Sequence, residues 1–435
     1  MSIKLPPQPD RQANWRTLQA WLRSGSILGA LETLHGELGE IFRIPLPGFS
    51  PIFMVGPQAN RFVFHQEKER LLWRAADDPV TKLLRHGLLV EDGPAHDQLR
   101  AALAPALQRR QLDDYVPAMV RCTDYVTVGW RASQARNMLD EMRRITLLIL
   151  VETLFGVDFG PHMDRLWPAV LGVLAYISPG AWLVWPNLPR PQYRSAIAQM
   201  DDYLYGIIRE RRRAPQLGND MLSRLVANPD FSDDLIRDQL LTMLIAGHDT
   251  STALLAWTLY LLGRHPQALA KAQAEVDAVV GAREPEPNAL RQLGFLEQVI
   301  KESLRLYPPI HLGQRIAAAD LTYGDYRIPR GARVIYSIYL THRDPAHWPE
   351  PARFAPERFA ADSGQRPAPQ SYVPFGGGAR NCIGAGFGLI EAKVVLARLL
   401  QQFELTLLPQ RVHPHMGATL EPHPGVLMCT ERRAI

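Results

Sequence analysis

Between residues 232 and 264 the chain carries one helical pattern without a break. Ser232 reads as an N-cap, Asp233 and Asp234 put acidic charge in the first turn, and Pro266 marks the stop. At about 1.5 Å per residue, this predicts a helix of roughly 50 Å, enough to cross the whole molecule. The rest of the fold has to pack around that rod. The 36 prolines are scattered and mostly punctuate further helices. No Gly/Ser linker, low-complexity stretch, charge block or repeat offers a place to divide the 435 residues. One large domain over 1–435 is therefore expected, against a two-domain alternative.

Residues 41–44 and 52–55 read as strands around a Pro/Gly turn, giving a small β-rich lobe over about 38–57. Helical patterns dominate the body from 58 to 405. A helix is expected over 296–307, stopped by Pro308 and Pro309, then strands at 321–323 and 334–338, then a helix over 384–403. The fold class is mainly α with small β-sheets.

Three cysteines, Cys122, Cys382 and Cys429, make no disulfide framework. The first residues lack the apolar core of a signal peptide, and no apolar anchor precedes the first helix. A cytoplasmic setting follows. Net charge is +4, with only six lysines among 48 basic residues. The arginines are spread out, which argues against nucleic-acid binding and for a solvated surface with a locally basic docking face. Residues 166–186 carry no charge but include Trp167, Tyr176, Trp182 and Trp185. Pro168, Gly172, Pro179 and Gly180 interrupt that stretch too often for a transmembrane span.

The chemistry concentrates at Cys382. It stands between a glycine-rich turn, Pro374-Phe375-Gly376-Gly377-Gly378-Ala379-Arg380, and a helix that begins near Gly384. A helix N-terminus favours a thiolate over a thiol. The glycines let the backbone approach a flat cofactor, and Arg380 can pair with a carboxylate on its rim. A buried structural cysteine is the bland alternative. A second constellation, Ala246-Gly247-His248-Asp249-Thr250-Ser251, lies inside the long helix. Glycine and hydroxyl residues there invite a bulge. Glu302 and Arg305 share a helix face at i and i+3, as do His96 and Arg100 at i and i+4.

The spacing Phe375-x-x-Gly378-x-Arg380-x-Cys382-x-Gly384 resembles the haem-ligand loop of the cytochrome P450 family. The other constellations match that family as well, over roughly 41–422. The resemblance implies a triangular helical prism with the long helix over the haem. It implies haem b bound through iron by Cys382, with Phe375, Ala246 and Gly247 against the cofactor and His96, Arg100, Arg315 and Arg380 on its propionates. Asp249 and Thr250 would manage protons for O2 activation. Glu302, Arg305 and Arg353, the last in Pro351-Ala352-Arg353-Phe354, would form a buried three-member network. The segment 166–186 would be a lid over an apolar pocket, with peripheral membrane contact.

The implied activity is that of a monomeric monooxygenase hydroxylating or epoxidising an apolar substrate. Electrons would come from NAD(P)H through a ferredoxin and its reductase or a flavoprotein reductase. The alternatives are a peroxide-driven peroxygenase, a haem-thiolate isomerase or dehydratase, and a non-catalytic haem sensor.

Overall fold

The 32-residue helix Asp233–Arg264 is the axis of the molecule. Ser232 caps it by accepting from the N–H of Leu235, as the sequence predicts. Most of its residues are buried on every side, which is the pattern of a helix enclosed by others. The computed structural model describes residues 4–433 except 47, 74–77, 132, 181, 183, 184, 186, 365 and 366. The helices packed most closely on the axis are Met138–Leu150, Arg194–Arg213, Gly294–Leu306 and Ala385–Gln402. One large apolar core joins them, from Leu83 through Leu240 and Leu255 to Leu400.

The main sheet is assembled from distant parts of the chain. Strands β1 (Ile41–Arg43), β2 (Ile52–Met54), β3 (Leu71–Leu72), β4 (Leu312–Ala317) and β5 (Arg333–Ser337) lie in the order β1-β2-β5-β4-β3. β1 and β2 are antiparallel, with Ile41 opposite Met54, and β2 runs parallel to β5, with Ile52 opposite Val334. The predicted N-terminal strands are present, but they depend on strands some 280 residues further on.

Two helices, Arg11–Ser24 and Ile27–Leu38, precede the sheet and are capped by Asp10 and Ser26. A hairpin of β6 (His413–Met416) and β7 (Leu420–His423) reaches the axis, where the carbonyl of Leu420 accepts from the Trp257 indole at 2.8 Å.

Residues 166–186 fall in the helix Met163–Ile177 and the segment after it, except that 181, 183, 184 and 186 lie outside the described residues. A Cβ on Gly172 would stand 2.6 Å from that of Ala196, so glycine lets this helix lie against Arg194–Arg213. Among the described residues no helix is long and apolar enough to cross a membrane.

Candidate functional site

The Cys382 loop is held from three sides. The Cys382 N–H donates to the Phe375 carbonyl at 2.9 Å, closing the turn. Arg100 donates to the carbonyl and the side-chain oxygen of Asn381 at 2.9 and 2.8 Å, tying the helix Gly93–Leu103 to the residue before the cysteine. The glycines press the loop onto the Phe62–Gln66 turn. A Cβ on Gly377 would meet the Phe64 ring at 2.8 Å, and one on Gly378, where φ is +65°, would lie 2.2 Å from the Phe64 carbonyl oxygen. Packing against Phe64 is thus a reason for glycine at these two positions that the sequence does not reveal. Their lack of a side chain serves the seat of the loop.

Cys382 is surface-accessible although densely surrounded by protein. A sulfur that is both faces a recess. Burial raises its pKa more than the N–H of Gly384 and the charge of Arg100 lower it. The Gly384 N–H at the start of the following helix and the charge of Arg100 both favour the thiolate against that burial. Among the described residues no group of three or more His, Cys, Asp or Glu is arranged to hold a metal.

The four predicted basic residues converge. Arg315 is buried, with the Gln314 carbonyl accepting from it at 2.7 Å. Its guanidinium stacks 3.7 Å from the centre of the Trp73 ring, and that of Arg380 lies 4.9 Å from the same ring. Arg380 donates to Asp92 and to the Glu91 carbonyl. Asp92 also accepts from the backbone N–H of Trp73 at 3.0 Å, so one carboxylate ties the main chain at Trp73 to Arg380. His96 is buried and bonds Asp97 at 2.9 Å. Its pKa is lowered by burial and then by Arg380 and Arg100. Burial likewise lowers Arg315, and Arg380 adds to the effect. Arginines this close to one another, with Arg315 buried, favour a further anion beside them. A flat group with two carboxylates and a central iron fits this donor set beside Cys382. Trp73 and Asp92 were not predicted; Asp92 lies in the Asp-Gly-Pro turn before His96, while nothing near Trp73 marks it.

The central helix runs as uninterrupted α-helix through Ala246–Ser251, so the predicted bulge is not formed. Thr250 donates to the Ala246 carbonyl at 2.7 Å and Thr252 to that of His248 at 3.0 Å; the hydroxyls supplement the ladder instead of breaking it. Ala246 is exposed within this otherwise enclosed stretch, and Thr250, one turn on, is half-buried, so that face is the open one. Gly247 instead faces Leu150, whose Cδ1 would lie 2.5 Å from an added Cβ, so its role is helix packing. Asp249 is buried and accepts from the Thr419 hydroxyl at 2.8 Å. Burial, then Glu421, raises its pKa to about 7. Ser251 donates to Glu391 of the helix after the cysteine. Glu391 is fully buried, one of its oxygens has no hydrogen bond, and burial pushes its pKa up to about 8.

Glu302 and Arg305 form a fully buried bidentate pair at 2.7 and 2.8 Å. Arg305 also donates to the carbonyls of His342, Pro351 and Arg353. The third side chain is not that of Arg353, which is 57 % exposed and pairs with Glu350 and Glu357. It is that of Arg358, buried 3.6 Å from Glu302. Arg353 contributes only its carbonyl, because its side chain leaves the turn toward solvent.

The cytochrome P450 family model matches residues 6–431. A sequence from Mycobacterium tuberculosis named as cytochrome P450 139 is 33% identical over 91% of this chain and 96% of its own length. Cyclooctatin synthase of Streptomyces melanosporofaciens is 30% identical over 89% of this chain and 88% of its own. Among solved structures, the retinoic acid bound cyanobacterial CYP120A1 superposes with a TM-score of 0.85 at 29% identity, over 99% of this chain and all of that one.

Proposed function

The chain belongs to the cytochrome P450 family of haem monooxygenases, and from that premise we propose that it inserts one oxygen atom of O2 into a largely hydrocarbon substrate, with electrons supplied by a separate protein. The observation that carries the reading is the convergence of His96, Arg100, Arg315 and Arg380 beside the accessible Cys382. Bound haem b supplies the one-electron and O2 chemistry.

Cys382 provides the thiolate ligand, and the basic residues hold the two propionates. Thr250, on the open face of the central helix, would offer its hydroxyl oxygen as a hydrogen-bond acceptor where O2 enters, its own proton being held by the Ala246 carbonyl. Asp249 holds and moves the proton, and its raised pKa keeps it protonated up to about neutrality. This acid–alcohol pair favours O2 use over a peroxide-driven reaction, and a gas sensor or electron carrier has no use for it. Phe375, the expected cofactor contact, also lines a recess beside the cysteine loop with Lys301, Tyr372 and Leu389; a ferredoxin or flavoprotein reductase would dock near this loop as the carrier from NAD(P)H. A hydrocarbon substrate is supported by two similar proteins whose names denote cyclooctat-9-en-7-ol and retinoic acid, and by the apolar helix Met163–Ile177.

Cys382→Ser tests the ligand. The reduced CO complex should lose its strongly red-shifted band, while Cys122→Ser and Cys429→Ser keep it. Loss in either of the latter overturns the assignment. Thr250→Ala tests the mechanism: haem and substrate still bind, but product per NAD(P)H falls as electrons leave in hydrogen peroxide. Full coupling in Thr250→Ala/Ser251→Ala removes the hydroxyls from it.

A further inference from the structure

The central helix and the β6–β7 hairpin meet at two carboxylates. Asp249 is 4 % exposed and is bonded by Thr419 at the hairpin tip, 2.8 Å away. Glu421, two residues further along the chain, is within hydrogen-bonding reach of Asp249 and accepts from Arg143. Two ionised carboxylates at that range repel strongly, and a single proton between them removes the conflict. The Arg143 guanidinium also lies 3.7 Å from Asp140, whose side chain is 56 % exposed. A continuous row of charged groups thus leads from the buried Asp249 through Glu421 and Arg143 to solvent at Asp140.

The other titratable groups on this face are imidazoles. His248 is buried with Nε2 against the Arg143 carbonyl at 3.0 Å, and burial lowers its pKa to about 4, so it is neutral near pH 7. His415 stands opposite Glu421 across the ribbon, and His413 stands opposite His423.

We propose that Glu421 is a positioning residue for proton supply: it shares one proton with Asp249 and reloads Asp249 from the solvent mouth at Arg143 and Asp140. This rests on the reading of Asp249 as proton donor. In each transfer a proton leaves the Glu421 carboxyl for the Asp249 carboxylate. Glu421 is then the carboxylate paired with Arg143, and a solvent proton restores it. No electron moves, and Arg143 stays charged.

The test is a pH titration of the protonated-carboxyl C=O stretch by infrared spectroscopy on the haem-loaded protein, in a Glu391→Gln background so that Glu391 adds no band. The band that disappears in Asp249→Asn belongs to the pair. In Glu421→Gln the neighbouring negative charge is gone, so that band should titrate lower by about one pH unit or more, tenfold in the protonation equilibrium. Glu421→Asp should return it toward the parent value. The pH above which product formation falls should move with the band. An unchanged band midpoint and pH profile in Glu421→Gln, with a normal haem spectrum, overturns the inference. If Asp249→Asn impairs product formation and Glu421→Gln does not, only Glu421 loses its role. If Asp249→Asn also has no effect, the reading of Asp249 itself fails.

Discussion

Arg353 and Arg358 show what a single side chain decides. Both follow a proline by two residues and precede a phenylalanine, so the sequence offers no way to choose between them. The structure buries Arg358 against Glu302 and sends Arg353 into solvent. Arg353→Ala should therefore change stability by at most about 1 kcal/mol. Glu302→Ala strands the buried Arg305 and should cost roughly 3–5 kcal/mol, with loss of haem. Urea unfolding of the two variants, followed by haem absorbance, separates them.

Glu391 gives a prediction with a sign. Its pKa rises from the usual 4.5 to about 8 on folding, through burial. Below about 4.5 it is protonated in both the folded and unfolded chain. Between about 4.5 and 8 the folded protein holds the extra proton, so this group's contribution to stability is lost progressively as pH rises. Glu391→Gln cannot ionise and should flatten the decline of melting temperature across that window. An unchanged slope would mean that Glu391 is ionised in the folded protein.

At the scale of elements, the cysteine loop depends on its contact with the Phe62–Gln66 turn. Gly378→Ala has to resolve both a left-handed backbone and an overlap with the Phe64 carbonyl. A cost of at least about 3 kcal/mol is expected, seen as weaker haem retention. Gly376→Ala has the positive φ but open space around it, so about 1–2 kcal/mol should suffice. Comparable losses in both would remove Phe64 from the account.

The long helix was legible because its signals are local: a serine cap, acidic first-turn residues and a proline stop. The helix before Cys382 was legible from the Pro308-Pro309 stop, and the one after it from a long apolar pattern that begins at Gly384. The absent bulge was not, because each threonine finds the carbonyl four residues back without displacing an N–H. The partners of Asp249 were hidden too. Thr419 and Glu421 are 170 and more residues away in sequence, and a two-stranded ribbon brings them in without any motif of its own.

The whole molecule is bound together by pairing across long separations. β1 and β2 hydrogen-bond into a sheet through β5, and Phe42, Phe53 and Leu28 share a buried cluster with Tyr339 and Leu420. A fragment ending at residue 300 lacks β4, β5 and the β6–β7 hairpin. It should show helix without the cooperative unfolding of the full chain, by circular dichroism during a urea titration. A sharp transition in that fragment would show that the N-terminal strands fold on their own.

The parallel register of Met54 with Tyr336 has a further consequence on the ribosome. β2 leaves the exit tunnel long before its partner exists. At about 5–20 residues per second, the roughly 280 intervening residues take on the order of 15 to 60 s to synthesise. For that interval an apolar strand, Ile52-Phe53-Met54, has one edge open to any neighbouring nascent chain. The speed of translation between codons 54 and 336, and the chaperones that cover that edge, then set how much of the chain reaches its haem.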